Sequence, residues 1–184
     1  MIRTVIIIIL FALAFSMIIL ALALKFYKKC PVGSILVIFN NISDNYGNKI
    51  KIIKSGGAFV WPFGGSYKII DLKPFTINLI PENLLSKNEK RYQFNVKFIL
   101  AINPDENVLY KSLERISGLS DEQLQQIALD MISGQLRTLF INMDDIEISN
   151  RSKVDYKIFQ SLYEPLDNLG LQLLNLDIIE LKQI

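Results

Sequence analysis

The sequence predicts an α+β fold behind a membrane-spanning helix, on three observations. Val5 to Leu24 is an unbroken run of 20 residues without a charge, in which only Ser16 is polar. Arg91 to Ile102 places Tyr92, Phe94, Val96, Phe98, Leu100 and Ile102 on strictly alternate positions, the signature of a strand with one apolar face. From Asn103-Pro104 onward the apolar period changes from strand to helix, and the chain closes on one further strand. Strands, then helices, then a returning strand make an α+β order.

The apolar run comes first along the chain. At 1.5 Å of rise per residue it spans ~30 Å, the thickness of a bilayer's hydrocarbon core, and only a helix satisfies its backbone there. Arg3 precedes it; Lys25, Lys28 and Lys29 follow it. Three lysines on the carboxy-terminal flank set the topology, with the bulk of the chain expected on the cytoplasmic side of the cell membrane as a single-pass protein. Ala21-Leu22-Ala23 resembles a signal-peptidase site, but the run is longer than a signal peptide's apolar stretch and lysines follow at once, as in an anchor. Lys28 and Lys29 before Cys30 also argue against a lipoprotein signal. Residues 1–29 are therefore read as the anchor with its basic flank, and residues 30–182 as the domain.

That remainder, the size of one domain or two small lobes, is nearly balanced in charge: with Arg3, Lys25, Lys28 and Lys29 set aside, 16 Lys and Arg stand against 18 Asp and Glu. No basic stripe marks a nucleic-acid partner. The chain has no histidine, which excludes His-dependent triads, a histidine switch and most zinc sites. Its one cysteine forms no internal disulfide. No cofactor or metal is expected, and no catalytic residue is nominated.

Along the chain, Ser34–Phe39 is a compact buried strand and Asn40–Asn48 a polar turn before a strand at Lys49–Ile53. A short apolar strand bracketed by glycine pairs follows in Gly56 to Gly65; Tyr67–Asp71 and Thr76–Ile80 are further strands, with a break at Pro74. Asp105–Ile116 suits a short helix with Val108, Leu109, Leu113 and Ile116 on one side. Ser120 to Gln123 has capping-box spacing, and the helix it opens carries a broad stripe of Leu124, Ile127, Ala128, Met131, Ile132, Gln135, Leu136, Leu139 and Phe140. Arg151–Leu169 repeats the pattern with Val154, Ile158, Phe159, Leu162 and Leu166; Pro165 should weaken its last turn and Gly170 should stop it. Leu171–Leu181 alternates imperfectly, as a bulged strand does.

Several segments together resemble one family. Cys30-Pro31-x-Gly33-x-Ile35-Leu36-Val37, Gly56-Gly57-Ala58-Phe59-Val60-Trp61-Pro62, Leu72-x-Pro74, Gly118-Leu119-Ser120, Gly134-Gln135-Leu136-Arg137, Ile146-Glu147-Ile148 before Arg151, and Gly170-Leu171 are similar to the flotillins of the SPFH (band 7) superfamily, alongside stomatins and prohibitins. The resemblance covers about residues 28 to 182. It implies an SPFH domain and a non-enzymatic membrane scaffold that self-associates, as a homo-oligomer or with other SPFH proteins, organises membrane microdomains, and gathers membrane lipids and client proteins. The long Ala/Glu-rich helical region that usually follows in flotillins is not in these 184 residues, so the sequence is either a naturally short member or a fragment. An accessory or regulator of a membrane-bound protease is the alternative within the superfamily, and a membrane-tethered hydrolase is a weaker one.

Three features are candidate sites. Cys30, beside Lys28 and Lys29, is a candidate for S-acylation, against the plainer reading of a buried cysteine at the start of a strand. Phe59, Trp61 and Phe63 are candidates for contact with the membrane interface, where Trp is favoured, against a buried strand. Asp144, Asp145 and Glu147 lack calcium-loop spacing and read as a solvated turn between helices.

Overall fold

The computed structural model describes residues 2–40, 50–60 and 65–184. The chain folds as two compact units, Met1–Asp71 and Leu72–Ile184. The division falls at the Leu72-x-Pro74 break.

The first unit opens with helix α1 (Ile2–Phe26), which is long and apolar enough to cross a membrane and whose span Ile9–Phe26 is wholly unburied by protein. With no intervening loop the chain enters β1 (Tyr27–Lys29) and then β2 (Ser34–Asn40), β3 (Ile50–Ile53), β4 (Gly57–Phe59) and β5 (Gly65–Asp71). β1 and β4 pair as an antiparallel ribbon; β3, β2 and β5 form an antiparallel sheet with β2 in the middle. The β-branched run Ile35 to Ile38 is buried on both of its faces. On one face Leu36 and Ile38 pack with Val60, and Cys30, Ile53 and Ala58 close around them.

The second unit contains β6 (Phe75–Leu85), β7 (Arg91–Ile102), α2 (Glu106–Ile116), α3 (Asp121–Ile141), α4 (Asp145–Ser149), α5 (Arg151–Asn168) and β8 (Leu171–Gln183). β7 is the central strand of an antiparallel sheet ordered β6-β7-β8. The alternation read from the sequence is its burial pattern: Tyr92, Phe94, Val96, Phe98, Leu100 and Ile102 are buried, while Gln93, Asn95, Lys97 and Ile99 are half-buried. α3 packs on β6 and on α5, and α5 packs on β8. Phe94 and Phe140 meet at 5.1 Å between ring centroids, tying β7 to the end of α3. A fully buried aromatic or aliphatic side chain of this kind contributes roughly 1.5–3 kcal/mol of transfer free energy.

The helix boundaries follow from local chemistry. Asp105 caps α2, its carboxylate accepting from the Asn107 and Val108 amides at 2.8 and 3.4 Å. The capping box is present: the Ser120 hydroxyl accepts from the Gln123 amide at 3.2 Å, and the Gln123 side chain accepts from the Ser120 amide at 2.9 Å. Gly170, with φ of +73°, ends α5.

Several expectations are revised. β6 runs to Leu85 rather than Ile80, because a register irregularity between Leu79 and Glu82 accommodates Pro81 in a strand at the sheet edge. By contrast α5 matches the expected helix to within one residue, running through Pro165 to Asn168. The stripe on α3 is narrower than expected: only Leu124, Ala128, Ile132, Leu136 and Phe140, spaced four apart, are buried, and Ile127 is exposed. Phe159 lies on the solvent side of α5 and is 46% exposed. β8 holds two irregularities, which leave Leu174 and Ile179 without a partner on β7. Both residues are exposed. The polar turn expected at Asn40–Asn48 falls almost entirely outside the described residues.

Candidate functional site

The feature most closely tied to a membrane is the junction between α1 and the ribbon. Phe26 ends the helix and Tyr27 begins β1, so helix and strand share one continuous backbone. The Val60 amide donates to the Phe26 carbonyl at 2.9 Å, which satisfies one of the helix's terminal acceptors with β4's own continuation. The Phe26 and Phe59 rings meet edge to face at 6.0 Å. The Cys30 amide donates to the Gly56 carbonyl at 2.9 Å, closing the other end of the ribbon. The glycine pair is needed here. Gly56 has φ of +84°, and a Cβ on Gly57 would stand 2.7 Å from the Lys28 carbonyl and equally close to the Tyr27 hydroxyl.

Of Phe59, Trp61 and Phe63, the side chains expected to touch the interface, only Phe59 lies within the described residues. Phe59 is 48% exposed beside Phe26. Tyr27 is exposed, and Val32, at the turn between β1 and β2, is fully so. Lys25 occupies the last turn of α1, where a cation complements the helix dipole. Lys29 is exposed, and the Lys28 ammonium stands 5.2 Å over the Tyr67 ring, a cation–π contact. The Cys30 thiol points inward: its Sγ lies 3.1 Å from the Ser34 carbonyl and 3.4 Å from the Ile53 carbonyl, against the Leu36–Ile38–Val60 cluster.

The acidic cluster of the second unit is an internal clamp that sequence reading did not foresee. One Asp145 oxygen accepts from the Ser86 hydroxyl at 2.8 Å and the Tyr92 hydroxyl at 3.2 Å. The other accepts from the Asn88 amide at 3.0 Å and the Lys90 ammonium at 2.9 Å. These bonds, Asn88 and Lys90 foremost, hold the Asp145 carboxyl well below the usual carboxylate range. The same contact raises Lys90, while burial, reinforced by the bond to Asp145, raises Tyr92. Asp144 pairs with Lys87 at 3.5 Å and Glu147 with Lys157 at 2.8 Å. Each carboxylate of the cluster is thus engaged by a lysine. Among the described residues no three His, Cys, Asp or Glu side chains converge as metal ligands would.

A third surface lies along α5 and β8. Tyr156, Phe159 and Tyr163 are exposed on α5 near the unpaired Leu174 of β8. A cleft of about 260 Å³ opens there, lined by Phe159, Tyr163, Leu166, Leu171 and Leu173 among others.

Comparison with known proteins agrees with this architecture. The family model described as "SPFH domain / Band 7 family" matches residues 28–182, from the ribbon to the last strand. Flotillin-1 of Drosophila melanogaster is 25% identical over 135 residues, which is 71% of this chain and 31% of that protein. Flotillin-like protein FloT of Bacillus subtilis is 24% identical over 151 residues, 82% of this chain and 30% of that protein. The chain spans about a third of the length of these relatives. The matched residues take in the β1–β4 ribbon, both three-stranded sheets and the returning strand β8, and the chain belongs to the SPFH domain / Band 7 family.

Proposed function

We propose that the protein is a membrane-anchored, flotillin-like scaffold, which organises membrane microdomains and gathers membrane proteins or lipids through self-association. Family membership implies a membrane-scaffold role in the broad sense, and SPFH and flotillin proteins are generally non-enzymatic. One observation carries the reading for this chain: an apolar helix of bilayer length is joined without a linker to the SPFH domain and hydrogen-bonded to it through Phe26 and Val60. A displacement of the first unit's strands is therefore a displacement of the anchor. Residues 1–29 act as the anchor, with Lys25, Lys28 and Lys29 holding residues 30–182 on the cytoplasmic side. Open edges at β6 and β8, with exposed Tyr156, Tyr163 and Ile179 near the latter, support contact between copies.

The test is to label the full chain with one fluorophore, reconstitute it at low density in a supported bilayer, and count photobleaching steps per particle. Scaffolding predicts slow particles that bleach in many steps. Fast particles bleaching in one step would overturn the reading.

A further inference from the structure

Charge is divided between the two units in a way the whole-chain balance conceals. Of the chain's 20 basic residues eight lie in Met1–Asp71, and of its 18 acidic residues only Asp44 and Asp71 do. Leu72–Ile184 holds twelve basic residues against sixteen acidic ones. The excess of acid in this second unit is local. From Ile158 to Gln183, through the rest of α5 and all of β8, Glu164, Asp167, Asp177 and Glu180 stand against Lys182 alone. Asp155 adds a carboxylate one turn earlier on α5.

Spacing by four puts Asp155, Phe159, Tyr163 and Asp167 in one row along α5, beside the buried row of Val154, Ile158, Leu162 and Leu166. This outer row faces β8. Phe159, Tyr163 and Asp167 line the 260 Å³ cleft against residues 171–173. Asp155 and Phe159 line a second cleft, of about 370 Å³, against residues 174–176. The two clefts share Phe159 and follow consecutive residues of β8, so they form one groove. The twelve residues of helix between its two carboxylates make it about 18 Å long, the length of five or six residues of extended chain. β8 is the last strand of its sheet, and among the described residues no strand pairs with its outer edge. At one end of the groove Asp155 Oδ1 is buried and accepts no hydrogen bond, a costly state for a carboxylate oxygen. At the other, the Asp167 carboxylate is met by the Asn103 amide at 3.5 Å. Among the described residues no lysine or arginine pairs with either carboxylate. Phe159 and Tyr163 are exposed between them.

Resting on the reading of the chain as a gatherer of membrane proteins on the cytoplasmic side, we propose that the groove between α5 and the free edge of β8 is a docking site for an extended basic segment, the cytoplasmic flank of another membrane protein. An added strand satisfies the open backbone edge of β8, and its side chains on one face meet the row on α5. Arginine or lysine there is matched twice: its charge lies over the Phe159 and Tyr163 rings, and its N–H groups supply the donor that Asp155 Oδ1 lacks. Such segments carry an excess of Lys and Arg because cytoplasmic loops of membrane proteins do so generally. Copies of this chain that meet through the open edge of β6 leave this groove to the partner.

The test titrates full-length protein in neutral detergent into a fluorescein-labelled peptide of alternating arginine and valine, with a glutamine–valine peptide as control, and reads anisotropy. The arginine peptide should bind saturably, and more tightly than the control. Asp155→Asn should weaken it about tenfold, the loss of one charge-assisted hydrogen bond. Phe159→Ala, a truncation at an exposed position, should weaken it severalfold. Asp121→Asn removes the same charge at a residue that lines neither cleft, and should leave binding unchanged. Absence of binding overturns the proposal. So does an equal loss in Asp155→Asn and Asp121→Asn, since net charge would then account for it. A peptide that fails to bind while Phe159→Ala lowers the particle mass overturns it as well, and assigns the groove to a second copy of the chain. Particle mass is read separately: large particles that bind no peptide in any variant remove the groove and leave the scaffold, and a monomer that binds it does the reverse.

Discussion

The hydroxyl of Ser112 occupies the space in which a side chain on Gly170 would begin. Ser112 is fully buried on α2, where it donates to the Leu109 carbonyl at 3.2 Å, and its Cβ stands 2.7 Å from the position of a Cβ built on Gly170. Gly170 also needs its positive φ to turn α5 into β8. Both demands fall on one residue, so the α5–β8 corner and the packing of α2 are set together.

Gly170→Ala should therefore cost about 2–5 kcal/mol, the sum of left-handed backbone strain and local overpacking. Chemical denaturation of residues 72–184 in the full chain would check this. A loss below about 0.5 kcal/mol would mean the corner yields easily.

The Asp145 clamp makes stability depend on acid. The carboxyl is depressed in the folded protein relative to its ordinary 3.8, so the unfolded chain takes up the proton first as pH falls. Its contribution is fully present above about pH 5 and is lost progressively as pH drops through 4 and below. Asp145→Asn should lower the melting temperature at pH 7, and the difference from the unmodified protein should shrink between pH 5 and pH 3. A difference that stays constant over that range would show the clamp contributes no pH-linked stability.

The ribbon offers a test of membrane contact. Trp61 is the sole tryptophan and follows β4 by two residues. If Phe59, Trp61 and Phe63 meet the interface, brominated acyl chains in vesicles should quench Trp61 fluorescence. Gly57→Val, whose side chain would collide with the Lys28 carbonyl, should break the ribbon and weaken that quenching. Unquenched emission from the unmodified protein would contradict the contact.

Much of this fold is legible in the sequence because its periodic signals are long. The alternation over Arg91–Ile102 and the caps at Ser120 and Gly170 needed no tertiary information. The ribbon was hidden for the opposite reason. Tyr27–Lys29 is three residues long and abuts an apolar helix, and three residues cannot display a period. The narrow stripe on α3 and the outward-facing Phe159 depend on which neighbours each helix meets, which hydrophobicity alone does not encode. The Asp145 clamp joins partners 53 to 59 residues apart, so no local spacing announces it. Net charge misled by averaging, since the balanced total conceals two units of opposite sign.

The proposed scaffold requires that this chain, anchored by α1, assembles with copies of itself. Light scattering of the full-length protein in mild detergent, with the detergent mass subtracted, measures this most directly. A large, discrete particle of many 21.0 kDa chains is the predicted result. A monomer or dimer would contradict the account.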